Sequence, residues 1–81
     1  MNLKQIASNM NEVTIGSYTI LFSYETPVAY KNHAGMYTVT SKKWSKTTSK
    51  HINKWLDGNK HQLVSQSVID NLAGYLSKEY A

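Results

Sequence analysis

The chain has 81 residues, 41% of them hydrophobic and 17% charged, with a formal net charge of +4. That length supports one small core, so residues 1–81 are expected to form a single domain, and separate cofactor and substrate domains are excluded. The lack of cysteine rules out disulfides, thiolate nucleophiles and cysteine zinc sites. No apolar run approaches the roughly 18 to 20 residues of a membrane span, and the N-terminus lacks a signal peptide's pattern, so a soluble intracellular protein is expected.

Leu3, Ile6, Ala7 and Met10 follow helical spacing, which predicts a short N-terminal helix with Asn2 as its cap. From Glu12 to Tyr24 the residues are those that fit a pleated surface, with Gly16-Ser17 as a turn, so a β-hairpin is predicted. Parity in its second run puts Tyr18, Ile20, Phe22 and Tyr24 toward the core and leaves Leu21 partly exposed or beneath a helix. Glu25-Thr26-Pro27 reads as an interruption, after which Val28-Ala29-Tyr30 forms a third strand. A polar loop ending at Gly35 leads to a fourth strand over 36–40.

The period then changes. Ile52, Trp55 and Leu56 share a helical face, with hydroxyl residues before them and Asp57-Gly58 after, which predicts a helix capped at Thr47 or Thr48. Asn59 to Gln62 reads as a polar linker. Ser65 or Ser67 then caps a last helix that buries Val68, Leu72 and Tyr75, joined by Ile69 and Leu76, with Ser67 and Asp70 as a capping pair. Gly74 inside it marks close packing or a weak spot. The expected fold is α+β: a small antiparallel sheet of three to four strands with a short N-terminal helix and two C-terminal helices, the helices on one face.

Charge is unevenly placed. Residues 31 to 60 carry seven lysines against Asp57 alone, a local net of +6, whereas the remainder is acidic by two charges. All nine cations are lysines, so guanidinium forks for guanine reading are excluded and any anion contact uses point charges. Within this region Lys42, Lys43, Trp44, Lys46, Thr47, Thr48, Lys50, His51 and Lys54 form the candidate nucleic-acid-binding set. Helix-start amides, hydroxyls and lysines together suit a phosphate, and an exposed Trp44 suits stacking on an unpaired base. The alternative is that Trp44 and Trp55 belong to the core, the hydroxyls only cap, and the lysines face solvent. His51 at this position can bond a neighbouring strand or a phosphate. His51, Asp57 and His61 match no recurrent zinc spacing, so neither a metal nor another cofactor is expected. No serine-hydrolase or paired-carboxylate arrangement can be read, so the chain is expected not to be an enzyme.

Two blocks, Phe22 to Tyr30 with its Thr26-Pro27-Val28-Ala29 pattern and Trp44 to Asn53 with the pattern Trp-Ser-x-Thr-Thr-x-x-His-x-Asn, resemble a small domain family encoded by tailed phages and prophages, itself of unknown function. The resemblance covers roughly residues 3 to 56. It implies a phage origin and a location in the host cytoplasm during infection, and it marks Thr47, Thr48, His51 and Asn53 as a shared feature, either a cap network or a site. The reading adopted from residues and resemblance together is a small non-enzymatic phage accessory protein that associates with nucleic acid through backbone contacts. The alternative is a protein-binding inhibitor of a host defence system or host enzyme, of the anti-CRISPR kind, with aromatic anchors such as Tyr18, Tyr30 or Tyr37. A homodimer continued across an unpaired sheet edge is a further expectation, and no membrane partner is expected.

Overall fold

The computed structural model describes residues 2–80, with side chains over 3–75. Six strands and two helices occur in the order β1 (Asn2–Ala7), β2 (Met10–Ile15), β3 (Tyr18–Ser23), β4 (Thr26–Lys31), β5 (Tyr37–Thr40), α1 (Lys46–Leu56), β6 (His61–Val64), α2 (Gln66–Tyr80). All strands join one sheet in sequence order. The first five run antiparallel to their neighbours, and β6 lies parallel to β5 after the α1 crossover. The sheet is therefore mixed and six-stranded, which corrects the expected antiparallel sheet of three to four strands and the expected three-helix complement.

The N-terminal helix is replaced by β1, which pairs with β2 through Leu3↔Val13 and Lys4↔Glu12. Four apolar positions at helical spacing are too short a sample to fix the period, and the neighbouring hairpin supplies a ladder that an isolated helix of that length lacks. A register shift between Gln5 and Ala7 breaks strict alternation, which is what imitated the helical period. Asn9 closes the turn at φ 58°, in the left-handed region that asparagine enters more readily than most residues.

The β2–β3 hairpin forms as predicted, turning at Gly16 with φ 59°. Its parity separates two cores. Leu21 packs with Met10, Val28, Ala29, Val39 and Leu56, joined by Ile52 and Trp55 of α1. Ile20 packs with Ile15 and with Ala73 of α2, joined by Phe22 and Leu72. Because successive strand residues face opposite ways, α1 and α2 cover opposite faces of the sheet, not one face. Leu21 is fully buried under α1. Tyr24, expected inside, leaves the strand at φ 59° and is exposed.

Pro27 lies within β4 instead of interrupting it. The register passes from Leu21↔Ala29 to Phe22↔Pro27, so Val28 is an extra residue on β4, and a proline beside such a bulge removes no ladder bond that the strand needs. Val28 and Ala29 both enter the α1-side core as a result.

The segment read as a polar linker supplies β6, whose His61, Gln62 and Leu63 are exposed. Exposed edge residues carry no alternation, so the pattern gave no strand signal. In α2, Ile69 is buried and Leu72 packs against the core as expected, joined by Ala73, while Val68 and Tyr75, expected inside, are exposed. Asp70 accepts from Gln66 Nε2 at 2.9 Å, and Ser67 Oγ meets Ser65 Oγ, so Ser67 and Asp70 do not form the capping pair. The side chain of Leu76 lies outside the described ones. A Cβ at Gly74 would meet nothing within 4 Å, which makes the glycine a weak spot and not a close-packing site. No helix among the described residues is long and apolar enough to cross a membrane.

Candidate nucleic-acid interface

Helix α1 is capped two residues before Thr47 and three before Thr48, the two predicted caps. Ser45 is the N-cap: its extended backbone (φ −71°, ψ 166°) directs Oγ to accept from Thr48 N at 3.2 Å. Thr48 and His51 then point inward, where Ser23 Oγ of β3 lies 2.9 Å from Thr48 Oγ1 and 2.9 Å from His51 Nδ1. All three side chains are buried. Ser45 Oγ donates to Thr48 Oγ1 at 3.3 Å, so the protons can run in one direction: Ser45 to Thr48, Thr48 to Ser23, Ser23 to His51 Nδ1. That orientation places the imidazole proton on Nε2 and uses every hydroxyl once as a donor. Ser23 is only 2% exposed, so this serine–histidine contact is a buried clasp between β3 and α1.

The helix's inner arc fixes its outer arc. With Thr48, His51 and Leu56 buried, Lys46, Lys50 and Lys54 at every fourth position fall on the opposite side, and all three are exposed. Thr47 is exposed beside them. Lys42 and Lys43 are exposed in the loop before α1. Lys42 Nζ sits 4.2 Å from the centroid of the Trp44 ring, and Trp44 Nε1 donates to Gln66 Oε1 at 3.2 Å. Gln66 Nε2 also donates to the Pro27 carbonyl at 2.7 Å, so the loop, α2 and β4 are joined through one amide.

Trp44 is 37% exposed, with part of its ring available at the surface. Trp55 is half-buried against Tyr37 and donates through Nε1 to Glu12 Oε2 at 2.9 Å. The candidate set thus divides. Lys42, Lys43, Trp44, Lys46, Thr47, Lys50 and Lys54 lie at the surface of the loop and helix, and Thr48 and His51 support the helix from beneath. Asn53 is exposed; its backbone carbonyl accepts from Asp57 N at the helix end. Ser23, Ser45 and Gln66 complete the arrangement and were not among the candidates. Ser23 was signalled only by sharing parity with Leu21 on a helix-covered face. Among the described residues no group of three or more metal-ligating side chains converges.

These features define a small α+β domain: a five-stranded meander extended by one β-α-β crossover, whose helix is clasped inward by hydroxyls and a histidine and presents lysines outward. Residues 1–71 match the family of unknown function DUF8033, and the chain belongs to that family. No curated protein and no solved structure matches it significantly.

Proposed function

We propose that this is a phage accessory protein, without enzymatic activity, that acts in the host cytoplasm by binding the sugar-phosphate backbone of nucleic acid. The observation that carries the reading is the exposed repeat of Lys46, Lys50 and Lys54 on a helix whose opposite arc is locked to the sheet, flanked by Lys42 and Lys43. A row of ammonium groups along the helix neutralises successive phosphates without reading bases, and the absence of arginine matches weak sequence preference. Trp44 adds a partly exposed ring for an unpaired base.

The test is fluorescence anisotropy with labelled single-stranded and double-stranded oligonucleotides at two salt concentrations, with Lys46→Glu/Lys50→Glu as control. Binding that falls steeply with salt and disappears in the control supports the reading. Salt-independent binding, or none, overturns it. The second reading, an inhibitor of a host defence system or host enzyme, is favoured by the exposed apolar side chains of Leu3, Leu63 and Tyr75. Tyr18 and Tyr30 pack edge-to-face on each other and Tyr37 packs on Trp55, so anchors for a protein partner would come from the exposed group.

A further inference from the structure

Strand β6 is an open edge of the sheet, and its ladder sets which backbone groups are free. Ser41 N donates to the Val64 carbonyl, and Val64 pairs with Thr40 in a parallel register. Alternation along a parallel strand then directs Gln62 and Val64 toward β5 and turns the N–H and C=O groups of His61 and Leu63 outward. Leu63 is 64% exposed although it pairs with the buried Val39 on the face that α1 covers. Between this edge and α1 runs a groove of about 270 Å³, with Val39, Ile52 and Leu56 toward its floor, Leu63 on its rim, and Lys42 and Lys43 beside them. Among the described residues no acidic side chain lines it. Lys60 stands immediately before β6, so cations lie at both ends of the strand.

We propose that the β6 edge and this groove form a docking surface for an extended acidic peptide segment of a partner protein. The segment adds as a strand, pairing with the outward amide and carbonyl groups of His61 and Leu63. One apolar side chain enters beside Leu63, Ile52 and Leu56, and flanking carboxylates meet Lys42, Lys43 and Lys60. Main-chain pairing supplies affinity, the groove selects the apolar residue, and the one-signed rim selects acidic flanks. This surface shares Lys42 and Lys43 with the nucleic-acid reading but not the outward arc of Lys46, Lys50 and Lys54, so variants of that arc and of Leu63 tell the two apart.

The experiment uses the full chain, isotopically labelled for NMR, titrated with a peptide of repeating Glu-Thr-Val-Thr, whose glutamates and valines share one face of an extended strand, and with its lysine-for-glutamate counterpart. The expected result is amide shifts centred on His61 to Val64 and methyl shifts at Ile52, Leu56 and Leu63 with the acidic peptide only. Leu63→Asp, at a position already exposed, should weaken that binding by about tenfold or more through lost apolar contact. Lys42→Glu/Lys43→Glu should reverse the preference between the two peptides, and Lys46→Glu/Lys50→Glu should leave peptide binding near its original strength. The proposal is overturned if neither peptide binds, if both bind equally, if Leu63→Asp binds as well as the unaltered chain, or if the shifts map to the outer arc of α1.

Discussion

Ser23 Oγ of β3 lies 2.9 Å from His51 Nδ1 of α1, across 28 residues of sequence, in a buried setting where it also meets Thr48 Oγ1. The serine is the one polar group on its strand that faces the helix-covered core with almost no exposure, and every buried polar side-chain atom among the described residues has a partner. The contact orients α1 about its own axis, and that orientation determines which of its residues meet solvent.

Removing the Ser23 hydroxyl leaves Thr48 Oγ1 and His51 Nδ1 short of a buried partner. Ser23→Ala and Thr48→Ala should each destabilise the fold by about 1 to 3 kcal/mol, the cost of stranding such groups. Asn53→Ala, on an exposed side chain, should stay within about 0.5 kcal/mol. Urea denaturation midpoints at constant slope measure all three.

Gly74 occupies the interior of α2 with open space where a Cβ would go. Gly74→Ala should therefore stabilise the protein by about 1 kcal/mol, from helix propensity alone. A melting temperature that falls would show that the glycine has a packing role.

Asp57 ends α1 in the left-handed region at φ 49°, and it places a carboxylate at the negative end of the helix dipole. Asp57→Asn keeps a side chain that tolerates this conformation and removes the charge. Stability at neutral pH should rise by about 0.3 to 1 kcal/mol, and the gain should shrink in high salt.

If the outer arc of α1 contacts phosphates, each lysine removed lowers the salt dependence of binding by a countable amount. Lys46→Ala, Lys50→Ala and Lys54→Ala should each reduce the slope of log affinity against log salt by about 0.9 on duplex DNA. A weakened affinity with an unchanged slope would assign these residues a different role.

Legibility in the sequence followed burial. The β2–β3 hairpin was readable because both its faces are packed and its turn carries Gly16, and α1 was readable because Ile52, Trp55 and Leu56 share one arc. Strands β1 and β6 were not: each lies at a sheet edge, where Lys4, Gln5, His61 and Gln62 are solvated and no face demands alternation. The helix cap was displaced to Ser45 because several hydroxyls compete there and only the tertiary bond to Ser23 decides which one turns inward.

The candidate site was legible as a composition and not as a geometry. Lysines every fourth residue were visible, but which arc they occupied depended on where His51 pointed, and that depended on Ser23. Of the four residues marked by the shared pattern, Thr48 and His51 are structural partners, while Thr47 and Asn53 are exposed. The parity of Ser23 with Leu21 was the available clue to the clasp.

The parallel pairing of β6 with β5 sets an order of assembly. Strands β1 to β5 close through short turns, so their contacts form between near neighbours in sequence, whereas pairing β6 with β5 closes the longer loop that contains α1 and should come later. The amides of β6 should accordingly be the last to gain protection from hydrogen exchange during refolding and the first to lose it under mild denaturant. Loosening the clasp at Ser23 should hasten that local opening, exposing β5 as a new edge while the meander stays intact.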